Sequence, residues 1–313
     1  MIYCTLINPV IESIYTVDTL VSGSSLCDVP CQSSPAGAAI NVACAVRALG
    51  EEVCVIGIIP ERNQLGVVQF LESRGIDHRF MMTPGDLPVQ VTVIEKSTGL
   101  ETRISPAASP LPGRIQDEFM RFAASSVVPG DIWCLSGGIP AGFSADVYAG
   151  LITHCSAAGA GTFLDTRGEG FRLGVRAKPL VLKPGIAELE EFFGETINGV
   201  HHIALKGKNL LDRGVSHVFV PLGSDGMIAL HDNDCLLCAP PDDRAPDMAG
   251  CTDALMAGIL VSWHRRFSFS ETCRLAVACG ASGAIHEATH AVTRTATRDE
   301  IWQLMEEVKI TAI

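Results

Sequence analysis

The chain has 313 residues, 47% of them hydrophobic and 19% charged, enough apolar material for one large α/β core. A net charge of −12, with no cluster of Lys and Arg, argues against a nucleic-acid or anionic-membrane partner and toward a small-molecule one. No basic leader or cleavage motif opens the chain and no apolar run reaches about 18 residues, so a cytoplasmic protein is expected.

In chain order, "IYCTLI", "VCVIGII", "DIWCLSG", "GTFLDT", "PLVLKP" and "HVFVPLG" are near-continuous apolar runs of strand length, the pattern of strands buried on both faces. Cys4, Cys54 and Cys134 lie inside such runs as small hydrophobes, which suits a reducing compartment. Between the runs fall helix candidates closed by glycine: Ile40 to Leu49, Val67 to Arg74, and Ala145 to Ala158. The alternation predicts βαβ units and one mostly parallel sheet with helices on both faces. "PVQVTVIEKSTGLETRI" departs from it, because its apolar and polar residues alternate around a turn, as in a hairpin with one wet face. Together with a strand-rich piece before the first helix it forms a small lid sheet, from about residues 10–34 and 87–106. No linker or repeat divides the chain, so residues 1–313 are expected to form a single domain.

Ligands of an open parallel sheet bind at the carboxyl ends of its strands, beside helix N-termini. "APDMAGCTDALMAGIL" offers such a terminus, with a helix from about Thr252 to Leu260. The NH groups of Gly250, Cys251, Thr252 and Asp253 are then the unpaired donors of its first turn, an anion site built from backbone. Asp253 is placed there either as a general base beside a transferred phosphate or as a helix cap.

Two motifs suggest metal. "HEATH" sets His286, Glu287 and His290 in the H-E-x-x-H spacing of catalytic zinc, but neither Glu306 nor Glu307 is singled out as a third ligand. Cys235 and Cys238 form a lone C-x-x-C without a second pair, which reads as an ordinary strand.

These segments, in this order, resemble the ribokinase-like sugar kinases, also called the phosphofructokinase-B family. Gly250-Cys251-Thr252-Asp253 followed by "ALMAGIL" falls where that family carries G-A-G-D and a small-residue helix. "TLINPVIE", "AGAAINVACAVRALG", "LSGGIPAGFSADVYAGLI", "FLDTRGEGF", "LKPGIAELEEFFG" and "VFVPLGSDG" follow the family's spacing over nearly the whole chain. The similarity is greatest to the hexose-phosphate branch typified by 1-phosphofructokinase and tagatose-6-phosphate kinase. It implies a ribokinase-like fold with a β-sheet lid, ATP and Mg²⁺ as cofactors, phosphoryl transfer to a sugar hydroxyl, and a homodimer formed through the lid. It further implies Asp253 as general base and Gly250, Cys251 and Thr252 as the anion hole. Lys183, Glu188, Gly223 and Gly226 would meet the nucleotide, Glu188 holding Mg²⁺ through water, and Glu12, Gly37 and Asn41 would line the sugar side. Placed in this family, "HEATH" is a wet helix end and not a zinc site.

The departures from the family pattern fall on working groups. Thr252 replaces a glycine and crowds the anion hole. Ala38 stands where the branch has the lysine of G-G-K-G-I-N, and Leu87-Pro88-Val89-Gln90 replaces a T-R-x-N segment, so two expected cations are missing. Gly185 replaces the asparagine of K-P-N-x-x-E. A dianionic sugar phosphate needs charge-assisted partners, so an uncharged acceptor is expected, with Arg103 of the hairpin as the candidate substitute cation. The alternatives are a nucleoside kinase, or a sugar- or nucleotide-binding protein of the same fold with weakened transfer.

Overall fold

The computed structural model describes residues 1–106, 110–241, 252–282 and 298–313. Its main sheet has ten strands among these residues. At the centre lies β1 (Ile2–Leu6), wholly buried, as its unbroken apolar run requires. To one side are β4 (Val53–Arg62) and the edge strand β5 (Asp77–Asp86). To the other are β8 (Ile132–Ser136), β9 (Gly161–Asp165), β10 (Val181–Leu182) and β11 (His217–Pro221), all parallel through β11. Three antiparallel strands, β12 (Met227–His231), β13 (Asp234–Ala239) and β14 (Lys309–Ala312), complete it.

Each face of the sheet is covered by helices, giving two apolar cores. One core packs α1 (Ala38–Ala48), α2 (Gln64–Ser73), α8 (Thr252–His264), α9 (Phe269–Ala281) and α10 (Arg298–Glu307). The other packs α3 (Gly113–Ala124), α4 (Val147–Ala157), α5 (Gly168–Arg176), α6 (Ile186–Phe193) and α7 (Gly199–Asp212). α8 is buried all round, wedged between α1 and α9, so a helix of small and aliphatic residues is the one that fits.

A separate four-stranded sheet is built from β2 (Val10–Val17), β3 (Cys31–Ala36), β6 (Val89–Glu95) and β7 (Glu101–Ile104), in the order β3-β2-β6-β7. The ribokinase-like class read from the sequence, a mostly parallel sheet between helices plus a small separate sheet, is the one observed.

Local departures have plain causes. "PLVLKP" yields only a two-residue strand, because Lys183-Pro184-Gly185 turns directly into α6. α8 runs past Leu260 to His264, and α4 starts at Val147 behind Asp146. Cys235 and Cys238 do lie on an ordinary strand. Three positions apart, they face opposite sides of β13 and join different cores, which no shared metal could bridge.

Candidate active site

The carboxyl ends of the parallel strands and the start of α8 enclose a cavity of about 600 Å³. β9 delivers Asp165, Thr166 and Arg167, and the turn after β10 delivers Lys183, Gly185 and Glu188. The loop after β8 supplies Gly137 and Gly138, β11 and its following turn Pro221 and Gly223, and α8 Thr252 and Asp253. Ala38 and Arg103 complete the wall.

Asp253 accepts a hydrogen bond from the Asn41 side-chain amide at 2.8 Å, across 212 positions of sequence. The carboxylate is enclosed by protein and keeps only a partial opening onto the cavity. Burial, with the neighbouring charge of Asp165, pushes its pKa up from 3.8 to about 6, against the opposing pull of Asn41 and Lys183. Thus Asp253 is a carboxylate at neutral pH, yet basic enough to accept a proton.

Lys183 is almost wholly buried and pairs with Asp165 at 2.7 Å. Its backbone NH donates to the Leu164 carbonyl, so β9 sets the height of the ammonium in the cavity. The Gly137 turn is fixed as firmly: its NH donates to the Asp165 carbonyl, and its own carbonyl accepts from the hydroxyls of Thr166 and Tyr148.

The sequence-derived residues divide. Asp253, Thr252, Lys183, Glu188, Gly223 and Arg103 line the cavity, and Asn41 backs it through Asp253. Glu12, Gly37 and Gly226 are not among its lining residues. Glu12 is buried beneath Arg103 and accepts from Gln90 at 3.0 Å and Thr92 at 2.8 Å, with the Arg103 guanidinium 3.7 Å away. Gly37 is the N-cap of α1 at φ 137°, a conformation that glycine adopts readily. Gly226 lies just before β12 at φ 97°, where a Cβ would collide with the Cys238 carbonyl, so its requirement is structural. Gly250, Cys251 and the histidines of "HEATH" lie outside the described residues. Thr252 falls in the first turn of α8, whose NH groups have no acceptor within the helix itself.

Three further contributors went unread in the sequence: Asp165, Arg167 and the glycine pair Gly137-Gly138. Their signal was position, at or just past the carboxyl end of a buried strand. Arg167 adds a positive charge to the cavity wall. The expectation of an uncharged acceptor rested on the absent cations at Ala38 and Pro88. Ala38 does line this cavity, but Pro88 lines a separate one, and two arginines reach the site from elsewhere. The two missing cations are thus set against two arginines, Arg103 and Arg167, in the same cavity.

Two carboxylates, Asp165 and Glu188, face the cavity with oxygen donors of the kind Mg²⁺ takes. Among the described residues no cluster of three His, Cys, Asp or Glu could hold a metal by itself. This donor set fits an ion brought in largely by nucleotide phosphates.

Compared with known proteins, residues 12–292 match the pfkB family carbohydrate kinases. The chain belongs to that family. It is an ATP-dependent carbohydrate kinase, as the resemblance implied. The 1-phosphofructokinase of Bacillus subtilis (strain 168) is 27% identical over 315 residues, spanning 100% of both chains. That of Haemophilus influenzae is 25% identical, covering 89% of this kinase and 88% of the relative. Among solved structures, phosphofructokinase-2 from Escherichia coli in complex with fructose-6-phosphate superposes with a TM-score of 0.86 at 18% identity, over 97% of this chain and 98% of the other, a likeness of fold.

Proposed function

We propose that the kinase transfers the γ-phosphoryl group of ATP to a hydroxyl of a sugar phosphate, with Asp253 as general base. The observation that carries this reading is the enclosed Asp253 carboxylate, raised to about 6 and oriented by Asn41, at the start of a buried helix. The hydroxyl donates its proton to Asp253 as its oxygen attacks the γ-phosphorus, the bond to the bridging oxygen breaks, and ADP leaves with that electron pair. The first-turn NH groups of α8 would face the charge on the transferred group, and Gly250 and Cys251 belong to the same anion hole in this reading. Lys183 and Gly223 bind the nucleotide phosphates, and Gly226 shapes the turn that carries Gly223.

Mg²⁺ would be held by Glu188 through water, with Asp165 nearby, and would supply charge neutralisation for the nucleotide phosphates. On the acceptor side, Glu12 and Gly37 act indirectly, Glu12 by positioning Arg103 and Gly37 by starting the helix that carries Asn41. The names of the relatives support a phosphorylated acceptor. No described helix is long and apolar enough to cross a membrane, and an enzyme that consumes ATP is read here as working in the cytoplasm. The outer face of the small sheet, where Ile104 pairs with Val91 and Tyr15 with Val93, is read as a homodimer face. The test is steady-state turnover with ATP and a panel of fructose 1-phosphate, fructose 6-phosphate, tagatose 6-phosphate, free sugars and nucleosides. Turnover confined to nucleosides would overturn the reading.

A further inference from the structure

Arg167 occupies the N-cap position of α5, extended at φ −132° and ψ 169°, which sends its side chain off the end of β9 into the cavity. Among the described residues its guanidinium has neither a hydrogen bond nor an ion pair with the protein. The two acids within two positions of it in sequence are already engaged: Asp165 with Lys183 at 2.7 Å, and Glu169 with Arg172 at 3.4 Å. A fork of five donors therefore faces the cavity of a chain with net charge −12.

Its neighbour makes room for it. A Cβ on Gly138 would lie 3.9 Å from the Arg167 Nη2, so a longer side chain at 138 would contend for that space. The adjoining Gly137 would bring a Cβ to 3.7 Å from that of Ala38. Arg167 thus borders the wall formed by Ala38, Gly137 and Gly138. The other walls carry Lys183, Gly185, Glu188 and Gly223. Arg103 reaches the same cavity from β7, held loosely by Glu12 at 3.7 Å and half exposed.

Resting on the sugar-phosphate reading above, we propose that Arg167 is the specificity-determining residue for the anionic group of the acceptor, with Arg103 as the second cation of the pair. The planar fork suits bidentate capture of a phosphate, and a sugar acid presents the same chemistry through its carboxylate.

The test compares wild type with Arg167→Ser and Arg167→Lys, using sugar phosphates, sugar acids and neutral sugars. Serine should raise KM for the preferred anionic sugar about 10- to 100-fold, the loss of one charge-assisted contact, while KM for ATP stays within about twofold. Lysine should recover part of that loss, and neutral sugars should be unaffected. Whichever of the phosphates or acids shows the larger loss identifies the anion. An unchanged KM for every anionic sugar, or a loss appearing in KM for ATP, overturns the proposal. If Arg167→Ser does not fold, Gly138→Val, which sets a branched side chain against the guanidinium, should reproduce the acceptor effect. Should wild type turn over no sugar, the kinase reading fails, and thermal-shift binding then decides this one alone. Stabilisation by a sugar phosphate or sugar acid that is lost in Arg167→Ser upholds it, and equal or absent stabilisation in both proteins overturns it.

Discussion

Replacing Asp253 by asparagine should stop catalysis and stabilise the protein at once. Moving a carboxyl from 3.8 to about 6 penalises its ionised form by roughly 3 kcal/mol, and above pH 6 the folded chain carries that penalty in full. Asparagine removes the charge. It also changes the local pairing, since the buried Asn41 Oδ1 has no hydrogen-bond partner among the described residues while Asn41 Nδ2 donates to Asp253. An amide at 253 can accept from Asn41 Nδ2 and donate to Asn41 Oδ1, closing a two-bond ring for about 1 kcal/mol more. The expected outcome at pH 7.5 is a Tm raised by several degrees, a kcat lowered by about 10²–10⁴-fold, and ATP binding within about threefold of wild type. The sign with pH follows from the raised pKa: the folded state binds the extra proton between about 4 and 6, so wild type gains stability as pH falls through that window and Asp253→Asn does not. Calorimetric scans at pH 5 and 7.5, with single-turnover kinetics, check both halves. An unchanged kcat would remove Asp253 from the mechanism, and a lower Tm at pH 7.5 would refute the buried-charge argument.

Wild-type kcat should fall as pH drops through about 6, where Asp253 protonates, and a pH–rate profile flat to pH 5 would contradict this. Lys183→Met breaks a buried pair with Asp165, so it should cost about 3–5 kcal/mol of stability, raise KM for ATP, and move the acid limb of the profile to higher pH because a charge that lowers the Asp253 pKa is gone; denaturant melts and kinetics read all three. Gly185→Asn places a Cβ 2.5 Å from the Glu188 Oε2, a flexible side-chain end, so folding should hardly change while Glu188 rotates away and the Mg²⁺ concentration for half-maximal rate shifts; an unchanged Mg²⁺ titration would place Glu188 outside the metal's reach. Val91→Glu with Ile104→Glu puts like charges on paired positions of the outer sheet face and should yield monomers at micromolar concentration in sedimentation velocity, unlike wild type.

The parts of the fold and site that the sequence disclosed share a physical property, and so do those it concealed. Strands β1, β4, β8, β9 and β11 are enclosed on both faces, so nearly every residue had to be apolar and the runs stood out. β5 was missed because it is an edge strand: "DHRFMMTPGD" carries charges, a proline and a glycine along a border that is half solvated. Asp253 was legible because a helix start is a local pattern, whereas its partnership with Asn41 joins α8 to α1 and appears only once both pack on the same face. The absence of a cation at Ala38 was equally legible, but one position does not set the charge of the cavity it lines. Charge in a cavity is set by what converges there, and Arg167, between a strand end and a helix cap, reads in one dimension as an ordinary turn arginine. Its wall is made by Gly138, 29 positions earlier, whose missing side chain is as much a part of the site as the guanidinium beside it.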